Sequence, residues 1–290
     1  MHSRRRCLLL VHAHPDDECL ATGGTIARYS DAGAHVVLVT CTNGEVGEIA
    51  DVPDLGSPEE IRPRLGEIRV RELEEACRRL GDVDLRLLGY HDSGMEGTPA
   101  NDDPNAFVNQ DRGEAVARVV QIIRETKPDV LVTYNEIGFY GHPDHVRAHE
   151  IALAAAEAAA DPSYQSAAGS PHRIAKVYYT AVPKSLLLAG RQLAEGIGQS
   201  ADDFFSMDEI ERVGSPDDAV TTWVDVSAYV DRKFRALEAH RTQLGTIERF
   251  LQIPEDVRGI AMGTEHYVLV RSLHAAVDGR ETDLFEQIAT

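Results

Sequence analysis

Only four cysteines occur in the 290 residues, Cys7, Cys19, Cys41 and Cys77, with no C-x-x-C pair and no regular spacing. That argues against a disulfide framework or a zinc knuckle and leaves reduced thiols of a cytoplasmic protein as the expectation. No apolar run is long enough to cross a bilayer. The opening "MHSRRRCLLLV" mimics an export leader, but His12 ends its apolar run early and no small-residue cleavage site follows. Positive charge is scarce: 29 Lys and Arg stand against 48 Asp and Glu, a formal charge of −19. With no basic patch to override that field, neither nucleic acid nor an anionic membrane is expected as a partner. The first apolar segment is followed by "ATGGT" rather than G-x-G-x-x-G, and a P-loop and a G-x-S-x-G elbow are missing too. Dinucleotide, phosphate-loop and serine-elbow chemistry therefore lose their usual carriers.

What is present is a chain 43% hydrophobic, in which β-branched apolar runs alternate with segments of helical period. That alternation predicts an α/β fold, a Rossmann-like open, mostly parallel sheet with helices on both faces. "CLLLVHA", "AHVVLVTCT", "VDLRLLG" and "PDVLVTY" read as the first four strands. Between them lie helices over Cys19 to Ala32, over 61–81 as one long amphipathic element, and over Arg112 to Thr126. A helix over 143–160 follows, then "DPSYQSAAGSPH", which reads as a mobile connection. The carboxyl part is smaller in structure and less regular, with strands "KVYYTAV", "AVTTWVDVS" and "EHYVLVRS" and one helix from Tyr229 to Thr242. The expected organisation is a catalytic region over 1–170 and a region over 171–290 that completes the sheet and the substrate pocket, together one structural unit.

Chemistry concentrates at two strand ends. "VHAHPDDE" (Val11 to Glu18) follows the first strand, and "YGHPDHVRAH" (Tyr140 to His149) follows the fourth. In doubly wound sheets these strands adjoin at the switch point, so one crevice can receive both clusters. A catalytic divalent metal commonly takes three His or carboxylate ligands and keeps a further position open. His14 and Asp17 on a Pro-started turn, with His145 in the first turn of its helix, supply such a set, and Asp16 is the natural general base. Zinc is the expected ion, one per chain, and the same set accepts Fe²⁺.

Blander readings compete residue by residue. "HPDD" alone is also a Pro-started helix end with an aspartate cap, but that does not explain why "HPDH" repeats the arrangement at another strand end. His12 lies within the strand and reads as packing; His149 reads as a surface or supporting group; Glu18 stays ambiguous; Asp144 either caps its helix or orients His142. "HAH" also evokes the histidine pair of amidohydrolase barrels, yet too few strands precede "YGHPDH" for eight strand–helix units.

"HAHPDDE", "TNGEVGE" after the second strand, "HDSGM" after the third and "GHPDH" after the fourth together resemble the PIG-L/LmbE-like zinc deacetylases. "AHRTQ", "EHYVL" and "ETDLF" are similar to the carboxyl ends of that family's mycothiol branch, which holds N-acetylglucosaminyl-inositol deacetylases and conjugate amidases. The resemblance implies His14, Asp17 and His145 as zinc ligands and Asp16 as base. It also implies His142 as a cationic partner of the tetrahedral intermediate, Asp144 holding its ring, and Tyr140 near the oxyanion. Arg69 and Asp92 would bind sugar hydroxyls, with Glu45 and Met95 lining the pocket. The implied partner is a small N-acetylated amino sugar or glycoside; a homo-oligomer stays open. Ala21 stands where the amidases resemble "HPDDESSKG" with a lysine, which favours deacetylation. A conjugate amidase and a non-catalytic sugar- or thiol-binding protein are the alternatives.

Overall fold

A computed structural model describes residues 4–196, 200–275 and 279–288. One seven-stranded sheet runs through them in the order β3-β2-β1-β4-β5-β7-β6. Its strands are β1 Cys7–His12, β2 His35–Thr42, β3 Val83–Tyr90, β4 Val130–Thr133, β5 Lys176–Ala181, β6 Thr222–Asp225 and β7 Thr264–Ser272. The first five are parallel, and β7 runs antiparallel between β5 and β6. The central strand is apolar without alternation because both of its faces are covered. Leu8 and Leu10 face Ile26, Leu73 and Leu237, from the helices Asp17–Asp31, Leu65–Leu80 and Val230–Leu237. Leu9 and Val11 face Val119, Ile151 and Ala155 of the helices Arg112–Thr126 and Pro143–Ala160.

The order places β1 beside both β2 and β4, with Leu8 opposite Val130 and Leu10 opposite Val132. After β1 and β4 the chain departs to opposite faces, and the switch-point crevice opens at their carboxyl ends. This is the arrangement the alternating pattern implied.

Departures have local causes. The single helix expected over 61–81 is broken: a short helix Pro58–Ile61 gives way to a 3-10 turn Arg62–Arg64 before the helix Leu65–Leu80 begins. Pro63 has no N–H to donate and constrains the residue before it. The connection over 161–172 is pinned rather than loose, because Arg124 donates to the carbonyls of Asp161 at 2.8 Å and Tyr164 at 3.0 Å. His172 adds a 2.7 Å bond from its ring to Pro128 O. Helices at Lys184–Gly196, Met207–Val213, Leu244–Leu251 and Glu255–Met262 were not anticipated, although Ser206 and Glu209 form a capping box that marks the second. Among the described residues no helix is long and apolar enough to cross a membrane.

The sheet crosses residue 170 without interruption, and its carboxyl part is locked by a buried carboxylate. Glu281 accepts from Lys176 Nζ at 2.6 Å, from Tyr178 Oη at 2.7 Å and from Thr222 Oγ1 at 3.0 Å. Removing one partner of a buried ion pair strands the other charge, a loss of about 3–5 kcal/mol. Lys176→Met is therefore expected to lower the urea unfolding free energy by about that amount; a loss below about 1 kcal/mol would show that Glu281 is solvated or protonated instead.

Candidate metal centre

The two histidine clusters meet in the crevice. β1 ends at His12, whose ring is buried between Tyr134 Oη at 3.2 Å and Thr22 Oγ1 at 3.0 Å, in keeping with its reading as a packed residue. His14 lies beyond the strand and Asp17 opens the following helix, one turn away. Its carboxylate Oδ2 accepts the His14 amide at 2.8 Å, which fixes both on one side of the turn. His145 arrives in the first turn of the helix Pro143–Ala160, and its ring is buried.

Donor atoms of three residues then face one another, with a different oxygen of Asp17 nearest each imidazole. His14 Nδ1 lies 3.2 Å from His145 Nε2, His14 Nδ1 lies 3.5 Å from Asp17 Oδ2, and His145 Nε2 lies 3.5 Å from Asp17 Oδ1. A tetrahedral ion with ligands at 2.0–2.1 Å separates those ligands by about 3.3–3.4 Å. The spacing of the three residues is therefore on the scale of ligands around such an ion. Electrostatics point the same way: although burial opposes it, the carboxylates of Asp92, Asp144 and Asp17 hold the His14 pKa well above its ordinary value. The same crevice holds Asp17 well below its usual range against the cost of burial, through His145 and then His14. Positive charge is favoured at this point, and the donors fit a divalent ion.

Supporting contacts orient the set. His14 Nε2, the nitrogen turned from the triangle, donates to Asp144 Oδ2 at 3.1 Å and lies 3.6 Å from Asp92 Oδ1. Such carboxylate–histidine pairs fix the tautomer and strengthen a metal-binding imidazole. Asp144 in turn accepts from the Ser93 amide at 2.8 Å and from the Ser93 hydroxyl. Tyr134, at the exit of β4, donates to Asp17 Oδ2 at 2.7 Å, accepts the Ala13 amide at 2.9 Å and stacks on the His145 ring with centroids 4.2 Å apart. Tyr134 and Ser93 carried no role in the sequence reading. The signal for Tyr134 is its place at the end of the apolar run "PDVLVTY", just past β4 and beside the crevice, and Ser93 lies inside "HDSGM".

The other anticipated residues are gathered here in different ways. Asp16 adopts φ 111° and ψ −28°, a left-handed conformation that aspartate rarely takes outside constrained sites. Burial lifts its pKa to about 6, with Arg69 opposing and Asp17 reinforcing the shift. Asp144 does not hold the His142 ring with its carboxylate; its backbone amide donates to His142 Nδ1 at 3.1 Å, making His142 the cap of its helix. Burial and the rings of His14 and His145 push His142 down to about 3, so its resting form is neutral rather than cationic. Since Nδ1 accepts, the proton of the neutral ring belongs on Nε2. Tyr140, half-buried, presents its ring edge-on to His145 at 4.9 Å. Asp92 is buried and held below its usual range, despite burial, by His14.

Arg69 is turned onto the protein. It donates to Gly44 O at 2.7 Å, to Pro15 O at 2.6 Å and to Asp16 Oδ2 at 3.2 Å, tying the "TNGEVGE" loop to the first cluster. A Cβ on Gly44 or Gly47 would stand 2.4 Å from Arg69 Nη1, so a side chain at either position would displace the guanidinium from these bonds, and Gly44 also has φ +69°. Glu45 pairs with His91 at 2.9 Å while its Oε2 lies buried without a hydrogen-bond partner among the described residues, and Met95 is exposed at the rim.

Residues 9–156 match the family model described as PIG-L: GlcNAc-PI de-N-acetylase. The chain is 46% identical over 287 residues to a 1D-myo-inositol 2-acetamido-2-deoxy-alpha-D-glucopyranoside deacetylase of Geodermatophilus obscurus, covering 97% of each chain. It is 42% identical to the protein of that name in Thermobifida fusca, covering 98% of this chain and all of the relative. Among solved structures, a conserved protein of Thermus thermophilus superposes with TM-score 0.58 and 24% identity, covering 93% of this chain and 96% of that one. An N,N'-diacetylchitobiose deacetylase of Pyrococcus horikoshii superposes with TM-score 0.60 and 20% identity, covering 91% and 83%. The chain, with both strand-end clusters inside the matched segment, belongs to the PIG-L family of de-N-acetylases.

Proposed function

We propose that this protein is a zinc-dependent deacetylase that hydrolyses the acetamide of 1D-myo-inositol 2-acetamido-2-deoxy-alpha-D-glucopyranoside to acetate and the free amine. The triangle of His14, Asp17 and His145 with Asp16 beside it carries the chemistry, and near-full-length identity to deacetylases of that name supports the substrate. His14 Nδ1, Asp17 and His145 Nε2 would hold the ion. A divalent ion there supplies Lewis-acid polarisation of the amide carbonyl and makes water acidic enough to be deprotonated near neutrality.

The chain's own groups do the rest. Asp16, with its pKa raised to about 6, takes a proton from the attacking water and returns it to the departing amine. His142 Nε2–H and the Tyr140 hydroxyl donate toward the oxygen that gains charge as the carbonyl becomes tetrahedral. Asp92, Glu45 and Met95 line the approach for the sugar, and Arg69 sets the base rather than spending all its donors on hydroxyls. The absence of a lysine at Ala21 favours this substrate class over a thiol conjugate.

Amine release from the inositol glycoside, run beside other N-acetylated sugars and a mycothiol-type conjugate with metal analysis, tests the reading; metal bound without release of amine from any of them defeats it. Asp16→Asn is expected to keep one bound metal and lose about 10²–10⁴ in kcat, whereas His145→Ala loses the metal. Tyr134→Phe, which removes a hydrogen bond to Asp17, should weaken Zn²⁺ binding by about 10–100-fold in a chelator competition. Protonated Asp16 cannot accept a proton, so kcat/KM falls as pH drops. A neighbouring divalent charge only lowers the Asp16 pKa, so the midpoint of that limb lies at or below about 6; a midpoint above about 7 assigns the limb to another group.

A further inference from the structure

Asp16, the base of the site, has its backbone held in an unfavourable conformation, and something must hold it there. Its carboxylate side is clamped by Arg69. Its amide side is clamped by Glu18, whose Oε2 accepts the Asp16 N–H at 3.0 Å. The other oxygen of Glu18 accepts from His240 Nε2 at 2.7 Å and from the Cys19 thiol at 2.8 Å. Glu18 and His240 have no exposed surface at all. His240 comes from the "AHRTQ" segment, 222 positions along the chain from Glu18, just past the helix Val230–Leu237. That helix is itself keyed to the helix Asp17–Asp31: Lys233 binds Glu265 at 2.7 Å, and Glu265 accepts the amides of Gly24 at 2.9 Å and Thr25 at 2.8 Å.

We propose that His240, acting through Glu18, is a positioning residue for Asp16. A thiol is a weak donor, so His240 is the strong partner that keeps the Glu18 carboxylate aimed at the Asp16 amide. Without it, Glu18 is free to turn away, the Asp16 amide loses its acceptor, and the backbone relaxes out of the left-handed region. The carboxylate of Asp16 then leaves its place beside the triangle. Glu18, Cys19 and His240 lie close enough to suggest a second metal site. The contacts at 2.7 and 2.8 Å are those of direct hydrogen bonds, shorter than the about 3.3 Å that separates ligands around a zinc ion, and the cluster is closed to solvent, so the positioning role is the one the geometry favours.

The inference rests on the deacetylase reading, and a double-mutant cycle separates the two. His240→Ala is expected to lower kcat by about 10–100-fold, the scale of a small misplacement of a catalytic group, with KM within about twofold and one metal still bound. His240→Gln, which returns an N–H donor toward Glu18, should recover most of that loss. In an Asp16→Asn background, His240→Ala should cost little more, because the group it positions is already disabled. If His240→Ala does not fold, the pair Glu18→Leu with His240→Leu removes both polar partners without stranding a charge and should show the same loss in kcat. Full kcat in a folded variant lacking His240, or an undiminished loss in the Asp16→Asn background, overturns the positioning role. Normal turnover by Asp16→Asn alone overturns the deacetylase assignment of the base instead.

Discussion

Like charges and bare imidazoles are packed together at the ends of two adjoining strands, and the rest of the site follows from managing that crowding. Asp17, Asp92 and Asp144 converge on His14 in a crevice where their side chains are largely buried and repulsion between carboxylates is strong. Such a set is tolerable only with positive charge among its members, supplied by a proton on His14 or by a divalent ion. Hydrogen bonds keep two of the groups from rotating away, Tyr134 holding Asp17 and Ser93 holding the Asp144 that faces His14, whereas His145 is held by the Tyr134 ring stacked on it.

The same constraint separates the two aspartates of "HPDD". Asp17 is held ionised by two histidines, whereas Asp16, buried and next to that negative charge, binds its proton more readily. Neighbouring residues of the same type thus differ in how readily they bind a proton, because one faces two imidazoles and the other sits beside its negative charge. Arg69 moderates the second aspartate rather than neutralising it fully, since two of its bonds go to backbone carbonyls.

Much of this was legible in the chain. Strands buried on both faces are uninterrupted apolar runs, so β1, β2 and β4 stand out, and two Pro-started clusters at the ends of adjoining parallel strands can only meet across the switch point. The finer assignments needed contacts between segments far apart. Nothing in "EIRVRE" says that Arg69 reaches Pro15 and Gly44, or in "HPDH" that Asp144 turns its carboxylate to His14 and gives His142 only its amide. Tyr134 looked like the last residue of a strand because its role depends on where His145 comes to rest. The helices Lys184–Gly196, Met207–Val213, Leu244–Leu251 and Glu255–Met262 have short apolar faces that acquire meaning only against the surface they cover, so periodicity alone passes them by.

The buried Glu281 lock beneath β5 has a consequence for how the chain matures during synthesis. Until β7 and Glu281 have emerged, Lys176 lacks its carboxylate, β5 lacks β7 as a neighbour, and the sheet ends in an unpaired edge that invites association with other nascent chains. The first five strands can gather the histidines early, but the sheet that supports them closes only when β7 and Glu281 dock, which makes that docking the step at which an immature polypeptide becomes a sealed molecule.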